Sequence, residues 1–527
     1  MAAVSFAVHL TSLGFYSDDW DLLGSFALTS DQSLLGFYRS MYAQPQVQMR
    51  PGQVLYLSLL YRLFGDSPLG YHVVNAAVLI AAAVLLVLVL ERLGVPRGVA
   101  VSTGALYSVL PHYSTARVWY SAFQAPLSMA AFLLSLYAAL RSLESRRRAW
   151  VWRLASLVGL VVSGLSYEVA LPLFFVCPLV VWARQRRLAS GSQAPLNQAG
   201  SVLFLGLMVA AAVGVAGFKV LTSTRLSHGS QPGYLSSLAH QIAHINLIVY
   251  GAAVPRTLWV ALHASADPVA IVLAVGVGTL VAGYLLRVLA REPLPPPGQS
   301  IHLMIAGGVV ILLGHAVFVT TRVSFSPTGP NNRTAVAAAA GVALAGVAAV
   351  SLIAALLPSR WRARAFSAAV GAGVCAAFLI TMSLERFWVT AYAQERQILD
   401  RVRQSLPTLA PKTTLLLDGF CPYVGPAIVF EAPWDLKGAL WVRYRDTTIR
   451  ADVVSPNLRV EPDAIVTRIY GEDSRYPYQG LIVFNARLGS TYPLADAESA
   501  RAYLAQHNPD LSSGCPPGRP GHGVQVF

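Results

Sequence analysis

Long apolar runs dominate the chain, and short arginine-bearing breaks punctuate them. The pattern predicts about eleven membrane spans, over 2–15, 72–90, 98–111, 121–140, 154–166, 169–183, 200–220, 268–287, 301–321, 335–357 and 368–385. The first is short: about 15 residues at about 1.5 Å each reach about 22 Å, against a hydrocarbon core of about 30 Å. No positive n-region or cleavage site marks it as a removable signal peptide. Within the long loop 16–71, residues 52–64 predict an interfacial helix.

After residue 385 the habits change. Residues 391–405, "AYAQERQILDRVRQS", predict a charged amphipathic helix, and "TTLLLDGF", "GALWVRYRD" and "QGLIVFNARLG" predict strands. The expected organisation is a helical membrane domain over 1–385 and a small α/β or α+β domain over 386–527. Its tail, "SSGCPPGRPGHG", holds too much Gly and Pro for regular structure. Neither solenoid repeats nor paired interrupted helices are visible.

Composition excludes a soluble globule, since 55% of the 527 residues are hydrophobic and only 12% charged. The net charge of +14 follows the loops. One alternating set carries Arg92, Arg97, Arg141, Arg146, Arg147, Arg148, Arg153, Arg184, Arg186, Arg187, Arg287, Arg291, Arg360, Arg362 and Arg364, which is 15 arginines in short segments. The opposite, longer set carries 8: Arg39, Arg50, Arg62, Arg117, Arg225, Arg256, Arg322 and Arg333. The positive-inside bias therefore predicts a multi-pass protein of the cytoplasmic (inner) membrane, N-terminus in the cytoplasm and C-terminal domain outside. Anionic headgroups account for the basic excess, and no basic patch interleaved with aromatics suggests nucleic acid. Cys177 and Cys375 fall in spans and read as packing residues. Cys421 and Cys515 fall in the outer domain, where they can pair or stay free.

Candidate chemistry lies on the outer face. "GFYSDDWDLLG" sets Asp18, Asp19 and Asp21 just past the first span. One reading is a helix start, with Ser17 or Asp18 as cap and Asp21 in the first turn. It explains Asp21 better than the adjacent pair, whose side chains point about 100° apart on a helix, so that one can face a substrate while the other braces it. His72 and Asn75 share a helix face under the same loop. "PHYSTARVWYSAFQAP" brings His112, Arg117 and Gln124 to that side, and "GLSYEVALPLF" places Glu168 between two short spans, near the outer edge. Arg50 and Arg333, with Arg117 third, are candidate phosphate ligands or interfacial arginines meeting lipid. His72 reads as a hydrogen-bonded structural histidine or a ligand, with no second His or acid at metal-binding spacing.

Taken together, "YSDDW", "MRPGQVLYLSLLYRLFGDSPLGYHVVN" and "LSYEVALPL", with weaker echoes in "PNNRTAVAAAAG" and "WVTAYAQERQIL", resemble the GT-C fold membrane glycosyltransferases, in particular the protein O-mannosyltransferase-like enzymes and their bacterial relatives. The resemblance covers about 1–190 by motif and the rest by layout. It implies a mainly α, polytopic GT-C-like fold and transfer of a sugar from a polyprenyl-phosphate donor to a lipid, glycan or protein acceptor outside the membrane. Asp18 would be the general base, Asp19 its companion, and Glu168 part of the site. Two departures, Tyr167-Glu168 in place of Lys-Glu and Thr115 where relatives often carry an acid, leave the acceptor and any divalent cation open. No organic cofactor is implied.

Chemistry points the same way. Outside the cytoplasmic membrane an enzyme has no sugar nucleotides to draw on, and a phosphate leaving group needs cations more than a second carboxylic acid. A flippase would carry ionisable residues near midspan and paired halves. A ligase or polymerase of lipid-linked glycans would need the same base and cations. The topology is testable directly. Fusions of a periplasm-active reporter at about Pro195 and Pro296 should be silent and one after Phe527 active; the reverse pattern overturns the outer-face assignment.

Overall fold

The computed structural model describes residues 2–145, 147–191, 198–223, 236, 239–240, 267–320, 326, 328–469, 471–511 and 515. Arg146, Arg225, Arg256, Arg322 and most of the Gly/Pro-rich tail lie outside them.

The expected first span is a six-residue helix, α1 (Ala2–Ala7), followed by turns and an irregular stretch, so residues 2–15 do not cross a membrane as one helix. In the long loop that follows lie α2 (Asp18–Ala27), α3 (Leu34–Tyr42) and α4 (Pro51–Phe64). The last of these is the expected interfacial helix. Val54, Leu57 and Leu60 are buried on one side, while Leu55, Leu59 and Leu63 form an exposed stripe at helical spacing.

Next come α5 (Pro68–Arg92), α6 (Arg97–Val109), the short α7 (Thr115–Val118), α8 (Gln124–Glu144), α9 (Ala149–Ser166), the short α10 (Leu171–Phe174), α11 (Cys177–Gly191) and α12 (Gln198–Thr222). The membrane half closes with α13 (Pro268–Leu289), α14 (Pro297–Thr320), α15 (Val336–Ala355) and α16 (Ser359–Ser405). Among the described residues 8 helices, in α5, α8, α9 and α12 to α16, are long and apolar enough to cross a membrane. The chain is a multi-pass membrane protein. The expected spans 98–111 and 169–183 correspond to shorter helices, α6 and the broken pair α10–α11. Small residues set the closest helix contacts: a Cβ on Gly278 would stand 2.7 Å from the Gly371 carbonyl oxygen, joining α13 to α16, and one on Gly341 would stand 2.5 Å from that of Gly307, joining α15 to α14.

The C-terminal part is a small α/β unit. Its main sheet runs in the order β4 (Arg450–Val453), β1 (Thr414–Asp418), β8 (Leu481–Asn485), β9 (Ser490–Pro493), with β1 parallel to β4 and β8 and β9 antiparallel to β8. Leu415 pairs with Ala451 on one side and Ile482 on the other. Two small sheets flank it, β2 (Tyr423–Val424) with β3 (Ala427–Ile428), and β5 (Arg459–Val460) with β6 (Ala464–Ile469) and β7 (Glu472–Pro477). "GALWVRYRD" is not a strand; it belongs to helix α17 (Pro433–Tyr444), and α18 (Ala497–His507) follows β9. The helix wins locally. Pro433 occupies the first turn, the Asp435 carboxylate accepts from the N–H groups of Glu431 at 2.7 Å and Ala432 at 3.3 Å, and Leu436, Ala439 and Leu440 recur at helical spacing in the core. Cys421 and Cys515 are disulfide-bonded.

The boundary expected at 385/386 falls inside α16, a single helix of 47 residues. One buried cluster then joins the two halves, with Trp20, Leu57 and Trp119 from the membrane side meeting Trp388, Leu399, Leu415 and Leu440. One close joint is between α2 and α17, where a Cβ on Gly438 would stand 2.3 Å from the Trp20 carbonyl oxygen. Gly438→Val should lower stability by about 1–3 kcal/mol through overpacking, read as a lower melting temperature in detergent, while Gly276→Ala, which meets nothing within 4 Å, should leave it unchanged.

Candidate functional site

The acidic stretch begins on a strained turn. Ser17 takes φ 48° and ψ −120°, an unusual conformation for a residue with a Cβ, and its side chain makes no capping bond. The turn is held by its surroundings. Trp119 Nε1 donates to the Tyr16 carbonyl at 2.9 Å, and Asp19 is fully buried with its carboxylate accepting from the N–H groups of Tyr16 (2.9 Å), Tyr120 (3.2 Å) and Ser121 (2.7 Å). Burial pushes the Asp19 carboxyl up to about 8, while the N–H donors pull it down. All three acids then sit in the first turn of α2, where the helix dipole favours negative charge.

Asp18 is turned the other way, into a cavity of about 1190 Å³. Of the residues expected from sequence, the cavity brings together Asp18, Arg50, Gln124, Glu168 and Arg333. It does not include Asp19, His72, Asn75, His112 or Arg117. These five stand outside its lining, bonded within the surrounding scaffold. His72 Nε2 donates to the Gly14 carbonyl at 2.9 Å, and Asn75 Nδ2 donates to the carbonyls of Ala116 (3.0 Å) and Arg117 (3.1 Å). His112 is buried in the 3-10 turn Pro111–Tyr113. Arg117 makes a buried ion pair with Glu385 at 2.8 Å, donates to Ser5 Oγ and the Ser108 carbonyl, and stacks 3.9 Å over Phe6.

At the membrane side of the cavity Glu168 lies in the break between α9 and α10. Arg50 grips it with two hydrogen bonds, one from Nε at 3.0 Å, and Lys219 Nζ approaches it at 3.3 Å. Arg50 also stacks 4.6 Å over the Tyr167 ring. Gly52 permits the approach, because a Cβ there would stand 2.9 Å from Ser166 Oγ at the end of α9. Burial alone would raise the Glu168 carboxyl, but the two cations outweigh it and hold it at about 2. The two cations therefore favour the ionised form of Glu168. Two cations against one anion leave this corner with a net positive charge. Arg333 adds a third cation at the cavity wall, stacked 4.4 Å over Trp119.

Sequence reasoning passed over Lys219, although a lysine inside the apolar run "VAGFKVL" is a functional signal by itself. It also passed over Gln53, Trp434 and Glu472, which line the same cavity. The last two come from the C-terminal unit and carry no local signal. Among the described residues no group of three or more His, Cys, Asp or Glu is placed to hold a metal ion.

No protein-family model and no curated protein matches the chain. Among solved structures it is similar to two crystal structures of ArnT from Cupriavidus metallidurans, one bound to undecaprenyl phosphate and one in the apo state. Both share 16% identity and cover 84% of this chain; the first covers 84% of ArnT with a TM-score of 0.35, the second 83% with 0.33.

The Asp19 bonding generates a prediction with a sign. A carboxyl whose folded pKa lies above its unfolded value holds its proton more tightly when folded, so its contribution is fully present below the unfolded value and is lost as pH rises through about 8. Asp19→Ala should destabilise the protein at pH 5, and the difference from wild type should shrink by pH 9, read by melting temperature in detergent.

Proposed function

We propose that the chain is an integral-membrane glycosyltransferase of GT-C-like fold. It moves a sugar from a polyprenyl-phosphate-linked donor to an acceptor hydroxyl at the outer face of the cytoplasmic membrane. The observation that carries the reading is one cavity holding both halves of the chemistry. A part-exposed carboxylate, Asp18, and the Arg50–Lys219–Glu168 cluster line it together with the apolar Leu171, Phe175, Val220 and Val317.

Apolar wall and cationic corner together suit an isoprenoid phosphate. The chain lies along the spans, and the phosphate meets Arg50, Lys219 and Arg333. Glu168 keeps the first two in place and prevents them from repelling each other. In the reaction the acceptor oxygen attacks the anomeric carbon, its proton passes to Asp18, and the carbon–oxygen bond to phosphate breaks, releasing polyprenyl phosphate. The cations stabilise the charge that develops on the leaving group. Asp19 holds the turn that aims Asp18 and takes no proton from the substrate.

Purified protein in nanodiscs, given a panel of polyprenyl-phosphate hexoses and pentoses, should consume at least one and release polyprenyl phosphate. Asp18→Asn should lose about a hundredfold or more in turnover with an unchanged melting temperature. Movement of intact lipid-linked glycan across vesicles, with no bond broken in any donor, would replace the transferase by a flippase.

A further inference from the structure

The cavity also holds uncharged polar groups. Gln53 from α4 and Gln124 from α8 line it with side chains more than nine-tenths buried, and the Oε1 atom of each lacks a hydrogen-bond partner among the described residues. Buried polar atoms are rarely left unpaired unless a ligand or water completes them. Ser121 adds a hydroxyl, Trp434 an aromatic face and Glu472 a carboxylate to the same lining. Amides and a hydroxyl match the alternating donors and acceptors of sugar hydroxyls, and an aromatic ring covers the C–H face of a pyranose or furanose. Asp18 and Glu472 add two carboxylates to the lining, and in the transferase reading the Arg50, Lys219 and Arg333 cations are taken up by the donor phosphate, so an uncharged acceptor fits what is left.

Resting on the transferase reading, we infer that the acceptor is a neutral saccharide, bound in this cavity with Gln53 and Gln124 as hydrogen-bonding residues and Trp434 as a stacking surface. The C-terminal unit then takes part in acceptor recognition, since Trp434 opens α17 and Glu472 opens β7.

The test uses the full-length protein in nanodiscs, with three sets of probes: neutral di- and trisaccharides of glucose, galactose, mannose and arabinose; a sugar phosphate; and a Ser/Thr-rich peptide. Saturation-transfer NMR should detect at least one neutral saccharide and neither of the other two probes. Gln53→Leu and Gln124→Leu should weaken that saccharide at least tenfold while melting at or above the wild-type temperature, because each removes an unpaired buried group at nearly constant volume. Trp434→Ala should weaken it as well. If only the peptide or the sugar phosphate binds, or if the saccharide binds equally well in both glutamine variants, the acceptor inference is overturned. Polyprenyl phosphate retention by the wild type separates the two levels: donor use without saccharide binding sinks this inference alone, whereas no donor use and no polyprenyl phosphate binding sinks the transferase reading beneath it.

Discussion

Three backbone N–H groups converge on one buried carboxylate, that of Asp19, and the rest of the site is arranged around it. Two of the donors belong to residues 120 and 121, about a hundred positions along the chain. The bonds therefore pin the loop before α2 to the entrance of α8, and they hold Ser17 in a conformation it would not take alone. Because neighbouring side chains on a helix diverge by about 100°, fixing Asp19 against the scaffold sends Asp18 into the cavity. One acid is used up as structure so that its neighbour can face solvent and ligand.

Charge placement elsewhere follows the same constraint, that a charge withdrawn from water must have partners. Arg117 meets it with Glu385, two hydrogen-bond acceptors and the Phe6 ring, and ties α1, α6, α7 and α16 together far from the cavity lining. The Arg50–Lys219–Glu168 group meets it only partly. Glu168 balances one cation, and the surplus charge opens onto the cavity. The compensated cluster belongs to the frame, and the cluster with two cations to one anion belongs to the cavity lining.

Most of the spans, the helix at 52–64, the α/β character of the C-terminal part and the meeting of Arg50, Glu168, Gln124 and Arg333 around one cavity were legible because each leaves a local mark: an apolar run, a break in it, or a polar residue beside it. Asp18 and Asp19 were recognisable as a pair, but which of them faces the cavity depends on backbone donors from another helix. His72, Asn75, His112 and Arg117 carry the right chemistry in the right region, yet polar residues there serve equally well to satisfy carbonyls in the bundle. The missed helix α17 has apolar residues that fit both strand and helix periods, and only the Asp435 bonds at its start decide between them. Trp434 and Glu472 were invisible because they reach the cavity only through tertiary folding.

The joint between α2 and α17 has a consequence in time. Gly24 and Gly438, Asp21 and Lys437, and Trp20 and Glu395 are partners separated by most of the chain. At about 5–20 residues per second of synthesis, α2 waits roughly 20 to 80 seconds for the helix that seats it. Through that interval the spans can insert and lipids can enter, but the acidic turn lacks its opposing wall. A nascent chain therefore aims Asp18 and assembles its cationic corner well before Trp434 and Glu472 reach the cavity.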